Sequence, residues 1–252
     1  MANDRSGDLA ALWRDRVAQH GPRPLLTYHD FDTGERVELS YTTLANWTSK
    51  TANLIQDELL ADPGSRFLLT APPHWMTAVW AIAPLLCSAV VSPWGDAARA
   101  RFAVSGPEPE QLAYARACRG ERYALSLLPL GRPFAETPEG FADYVAEVRM
   151  HGDRFAAFDP PNPDSPALTG ATGSDEALTH REVLALAADR CPPGARLVVP
   201  TEQTGADAAG LIGWLYAPIA AGGSVVLARG GTPEQLERLA ETERAQPWSV
   251  ER

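Results

Sequence analysis

Strand-like and helix-like stretches alternate along nearly the whole of this chain, and that alternation admits few folds. Leu9, Leu12, Trp13 and Val17 make a helical stripe over residues 8–20. PLLTYHD (24–30) and RVELS (36–40) flank Asp32-Thr33-Gly34-Glu35, a hairpin signature. Residues 40–60 read as an amphipathic helix capped by Ser40 or Thr42. RFLLTA (66–71) reads as a strand, followed by an apolar helix from about His74 and the strand AVVSP (89–93). RFAVSG (101–106) is a short strand, and Gly106-Pro107-Glu108-Pro109 opens the next helix. A strand over 122–130 and a helix over 140–150 follow. Beyond a Pro- and Asp-rich stretch come a helix from Thr179, a strand at 196–201, a helix at 205–222 and a strand at 224–229. The last helix, 232–245, starts on a capping box of Thr232 and Gln235 with Pro233 in its first turn.

Strands that alternate with helices require right-handed crossovers, so the fold class is α/β, with mostly parallel sheet or sheets flanked by helices. The expected organisation is a first α/β lobe over 1–150, a connector over 151–166 and a second βα lobe over 167–252, forming one compact domain overall.

Several function classes are set aside on the residues alone. Trp75 to Trp94 is uncharged and about long enough to span a bilayer. Pro84 interrupts it, no Lys/Arg cluster flanks it, and AVVSP ends it as a strand, so a buried helix with a central strand is expected and no membrane span. The formal net charge of −10 argues against nucleic acid as a partner. Cys87, Cys118 and Cys191 form no CxxC pair and read as buried or free thiols of a reducing compartment. The first ten residues lack the apolar core of a secretory signal, so a cytoplasmic location is expected. His20, His29, His74 and His151 show no metal-ligand spacing, and no G-x-S-x-G elbow occurs, so neither metal nor catalytic residues are expected. Gly230-Gly231 lacks a fuller G-x-G-x-x-G fingerprint and reads as a turn. Trp13, Trp47, Trp75, Trp80 and Trp214 fall at helical positions and are expected in the core.

The order of elements, together with three stretches, carries a resemblance. LLTYHDFDTGERVELSYTTLANWTSKTANLIQDEL resembles the opening of the adenylate-forming superfamily, which includes acyl-CoA synthetases, and PPHWMTAVWAIAPLLCSAVVSPW is similar to the helix–strand unit that follows it. LTGATGSDEALTHREVL resembles that family's phosphate loop, T-S-G-T-T-G-x-P-K-G, with the L-T-H-x-x-V helix behind it. The resemblance implies the N-terminal subdomains of an adenylate-forming enzyme, in a short, truncated relative. It also marks Thr169, Gly170, Ala171, Thr172 and Gly173 as a degenerate phosphate loop that would contact a nucleotide.

Adenylation joins a carboxylate to ATP and releases pyrophosphate, and converging N–H dipoles with a cation stabilise the phosphates. Here the family's proline position holds Asp175 and its lysine position Glu176, and the loop is two residues shorter. A unit charge near a phosphate changes the energy by about 1 kcal/mol in water and about 4 at a surface dielectric, so exchanging attraction for repulsion doubles the deficit. Lys50 is the only lysine in the chain and is expected on a solvated helix face. The family's lid lysine, Tyr-Gly-x-Thr-Glu and Thr-Gly-Asp motifs have no counterpart. Thr179 and Glu182 read as a capping box, and His180 as a helix-start histidine on the surface. The expectation is a binding or interaction module that does not adenylate, with no cofactor, and with self-association or a protein partner on faces that missing parts would cover. The alternative is a nucleotide binder or reduced ligase that uses ATP or AMP with Mg²⁺ and the loop backbone.

Overall fold

A computed structural model describes residues 7–170 and 176–248. Helix α1 (Leu9–His20) is capped by the Asp8 carboxylate, which accepts from the Ala11 N–H. Strands β1 (Pro24–Asp30) and β2 (Arg36–Ser40) form the expected hairpin, and the Asp30 carboxylate closes its turn on the N–H groups of Asp32 and Thr33. Ser40, of the two candidate residues, caps α2 (Tyr41–Asn53), which continues into a π turn at Leu54–Glu58. Then come β3 (Arg66–Thr70), α3 (Trp75–Leu86), β4 (Val90–Pro93), β5 (Phe102–Ser105), α4 (Pro109–Ala115) and β6 (Arg122–Ala124). Strand β7 (Ala142–Asp143), α5 (Tyr144–Val148), β8 (Pro166–Leu168), β9 (Leu178–Thr179), α6 (His180–Ala187) and β10 (Arg196–Pro200) follow. The chain closes with α7 (Ala208–Leu211), joined through a π turn at Ile212–Tyr216 to α8 (Ala217–Ala221), then β11 (Ser224–Arg229), α9 (Pro233–Thr242) and β12 (Gln246–Pro247).

Among the described residues the strands form two sheets, ordered β12-β10-β11-β1-β2 and β7-β6-β5-β3-β4-β8-β9. Pairing is parallel except at the edge strands β2 and β9. Each sheet takes strands from both sides of residues 151–166. The parallel strands are covered on both faces, which is why runs such as Val225-Val226-Leu227 are apolar without alternation.

All twelve residues of α3 are buried, and the helix touches β1 of one sheet and β3 and β4 of the other. That placement, rather than a bilayer, accounts for its uniform apolarity; no described helix is long and apolar enough to cross a membrane. Trp13, Trp75, Trp80 and Trp214 are buried, and the half-buried Trp47 lies 5.2 Å from the Trp75 ring. Two sequence expectations are trimmed. The strand expected over 122–130 ends at Ala124, because Leu127 and Leu130 take left-handed φ and turn the chain. The helix expected over 140–150 begins only at Tyr144, because Asp143 spends its carboxylate on the N–H groups of Val145 and Ala146 as a cap.

Glu243, just past α9, is half-buried beside the first sheet. It accepts from Arg196 at 2.6 Å and Arg36 at 3.0 Å. Burial pushes its carboxyl up, but the hydrogen bonds from Arg36 and Arg196 outweigh that and hold it below the ordinary glutamate range. Replacing Glu243 by Gln is expected to cost about 2 kcal/mol, since both guanidiniums lose their anionic partner and one of the two accepting oxygens becomes an amide NH2 that cannot accept. Urea titration of the two proteins near neutral pH measures the difference.

Candidate functional site

The resemblance to a phosphate loop directs attention to the end of β8. The Thr169 N–H donates to Val91 O at 3.0 Å, and its hydroxyl shares a 2.7 Å hydrogen bond with that of Ser92. Thr169 is thereby buried, and its hydroxyl is committed to β4. Gly170 has a φ of +82°, a left-handed turn that favours glycine. The backbone after β4 crowds this turn: a Cβ on Gly95 would lie 2.1 Å from the Ser92 hydroxyl. Trp94 holds a left-handed φ of 50° with its ring edge-on to Tyr114 at 5.4 Å. Ala171, Thr172, Gly173 and Asp175 lie outside the described residues. Glu176 follows as an exposed carboxylate, and Leu178–Thr179 returns antiparallel to β8.

The start of α6 behind this turn is already occupied by an anion. Glu182 accepts from the Thr179 N–H and the Thr179 hydroxyl, each at 2.8 Å, and returns its own N–H to that hydroxyl at 3.3 Å. The two bonds from Thr179 hold the Glu182 carboxyl below its ordinary range. A third element closes in opposite: Gly170 approaches Ala208 at the start of α7, whose cap is another carboxylate, Asp207, accepting from the Gly210 N–H at 2.8 Å. The Thr204 hydroxyl in the preceding loop is buried with no partner among the described residues. Glu176, Glu182 and Asp207 thus place acidic side chains on the described elements that flank the turn.

Lys50 is engaged elsewhere. Its ammonium donates to His151 O at 2.5 Å, and the residue is half-buried rather than solvated as expected. His180 also departs from expectation. It is fully buried instead of lying on the surface, because its Nδ1 accepts the Leu9 N–H at 3.2 Å and so pins the start of α1 to α6. Burial pushes the imidazole down to about 4, and its Nε2 has no partner among the described residues. Its weakened basicity, its burial and the use of Nδ1 by the Leu9 N–H do not suit a general base. Cys87, Cys118 and Cys191 are buried, and burial pushes the Cys87 and Cys191 thiols up, away from nucleophilic thiolates. No group of three or more metal-ligating side chains occurs among the described residues.

One cluster escapes a sequence reading. Tyr28 and Asp30 at the end of β1 meet His74 at the start of α3 and Arg229 at the end of β11. The Tyr28 and His74 rings lie edge to face at 4.5 Å, and Arg229 approaches the Asp30 carboxylate at 3.4 Å. Burial pushes the His74 imidazole down to about 3, and burial with the Asp30 charge pushes the Tyr28 phenol up to about 12. His74 Nδ1 accepts the Met76 N–H as a helix cap, so the cluster seals the seam between the sheets. The only local hint is a polar residue directly before the apolar run at 75.

No family model matches the chain. The "TIGR03089 family protein" of Mycobacterium tuberculosis is 38% identical over 230 residues, which is 89% of each chain. Among solved structures, the acyl-CoA synthetase of Brucella canis superposes with a TM-score of 0.76 at 16% identity, over 98% of this chain and 48% of its own. The N-terminal domain of FACL13 from Mycobacterium tuberculosis gives a TM-score of 0.67 at 14% identity, over 94% of this chain and 61% of its own. At these identities the likeness to both structures is one of fold. The chain spans about half the length of the Brucella synthetase.

Proposed function

Taking as premise that the chain belongs to the TIGR03089 family and carries the fold of the N-terminal part of an acyl-CoA synthetase, we propose that it is a binding module that does not adenylate carboxylates. The observation that carries this reading is the carboxylate of Glu182 at the start of α6. A helix start offers unpaired N–H groups and a positive dipole end to a phosphate. Here the N–H groups of His180, Arg181 and Glu182 are already taken by Ser165 O, Pro163 O and the Thr179 hydroxyl, and the Glu182 carboxylate adds a negative charge beside them. Glu176 stands beside the turn at the position where the phosphate loop it resembles carries lysine, and the chain's single lysine is bonded to His151 O. In place of nucleotide, the module is read as holding a protein partner or a second copy.

A second reading has one observation in its favour. Gly170 in a left-handed turn and Gly95 packed under it retain a close-approach backbone of the kind that lies against phosphate. In that case Mg²⁺ would join Glu176 to ATP or AMP. The two readings part in one experiment. Under the first, Mg·ATP and AMP leave the melting temperature unchanged, and carboxylate-dependent pyrophosphate exchange stays at background. Under the second, a nucleotide at a hundred times its dissociation constant adds about 2.7 kcal/mol. Sedimentation over a dilution series tests self-association, and a monomer at every concentration removes the second copy as the occupant.

A further inference from the structure

A hollow of about 290 Å³ lies between α1 and α2, at the small end of ligand pockets. On α1 the residues at helical spacing, Ala10, Trp13, Arg14 and Val17, face Ala45 and Ser49, one turn apart on α2. Leu86, the last residue of α3, also lines it. Part of the remaining wall is the segment 155–157, and α2 fixes how that segment runs. Lys50 donates to His151 O, Asn53 to Gly152 O and Arg154 O, and Gln56 to Ala156 O while accepting the Phe158 N–H. Three side chains spaced three apart thus bind backbone, and the segment's apolar side chains are left to line the hollow.

Two features together point to an occupant. Trp13, Val17, Leu86 and Phe155 give the hollow an apolar wall, and the adjoining gap bounded by Ala10, Trp13, Leu86 and Ile82 holds only about 10 Å³, so an occupant stays in the hollow itself. An alkyl tail lying along that wall meets hydrocarbon and indole. Arg14 is the single charged side chain among the described lining residues; it is exposed and has no ion-pair or hydrogen-bond partner among the described residues. An apolar wall with one exposed guanidinium beside it fits an amphiphile with an anionic, planar head.

We propose that this hollow binds an aliphatic carboxylate, with the tail along Trp13 and Leu86 and the head on Arg14. The site lies at the carboxyl end of α3, where the chain leads into the start of β4, whereas Thr169 follows the end of β8. It is thus independent of the nucleotide question, and its test contains no nucleotide.

Calorimetric titration of the full chain with octanoate, octanol and octylammonium provides that test. Octanoate is expected to bind, with octylammonium about tenfold or more weaker, since the head charge changes sign beside Arg14. Arg14→Glu, a surface change, is expected to invert that preference. Ala45→Trp, which fills the hollow, is expected to abolish octanoate binding while the melting transition remains. The proposal is overturned if octanoate does not bind, if the three probes bind alike, or if Arg14→Glu leaves their order unchanged. Should Ala45→Trp fail to fold, the inversion in Arg14→Glu decides alone.

Discussion

Acidification from neutrality to about pH 4 is expected to destabilise this protein steeply, with proton uptake by two histidines as the main cause. His74 and His180 are buried, and their imidazoles are pushed down to about 3 and about 4. In the unfolded chain both titrate near 6.5. As the pH falls through about 6.5 the unfolded state therefore binds protons that the native state refuses. The stability these neutral groups confer is complete above about 6.5 and is lost progressively as the pH falls toward their native values. Each contributes a slope of up to about 1.4 kcal/mol per pH unit, and the pair up to about 2.7. Against a total of about 5–15 kcal/mol, that suffices to unfold a marginal domain. Glu243 adds to the loss only at lower pH, because its depressed carboxyl stabilises the fold above the ordinary glutamate range and gives that up as the pH drops through its native value. Urea denaturation at stepped pH measures the slope. The double variant His74→Asn, His180→Asn keeps a hydrogen-bond acceptor at both positions and should flatten the profile between about pH 6.5 and 4. A wild-type profile that is flat there, or a variant profile as steep as wild type, would exclude buried neutral imidazoles as the cause.

Trp80→Ala should carry the largest cost of any single truncation in the core, about 3–5 kcal/mol. Trp80 is 1% exposed in the middle of α3, with the Phe67 ring at 6.0 Å, Tyr123 at 5.8 Å and Tyr144 edge-on at 5.3 Å. Those partners come from β3, β6 and α5, so the indole ties α3 to two strands of the second sheet and to a neighbouring helix. Truncation loses the transfer energy of the indole and the packing of its neighbours, and strands locked in a parallel sheet cannot collapse into the space. Trp80→Phe, which keeps a ring, should recover much of the loss. The midpoint of guanidinium unfolding, compared across the three proteins at equal slope, gives the values. A cost under about 1 kcal/mol for the alanine variant would show that α3 repacks.

The elements legible in the sequence are those whose signals are local. Capping at Thr179 and Thr232, the hairpin around Asp32-Thr33-Gly34-Glu35, and the apolar runs of β3, β4, β10 and β11 depend on residues a few positions apart. Their alternation is enough to require parallel strands with helices between them, and the LTGATG and LTHREV stretches suffice for the resemblance to acyl-CoA synthetases. The Glu182 carboxylate at the start of α6 is visible in the same way, because a capping box is a four-residue device.

Long-range packing set the remainder. Nothing near His180 in the chain indicates that it meets Leu9, 171 positions away, and that contact turns an apparent surface histidine into a neutral core residue. Lys50 looks like any solvated helix lysine until residue 151 runs back across α2 and offers it a carbonyl. The pairing of β1 with β11, which draws Tyr28, His74 and Arg229 into one cluster, joins strands about 200 positions apart, and loop closure over such distances leaves no periodic mark in a sequence. Caps and periodicity are energies of neighbours along the backbone, whereas burial, ion pairing and pKa are energies of neighbours in space. Only the folded arrangement establishes the second set.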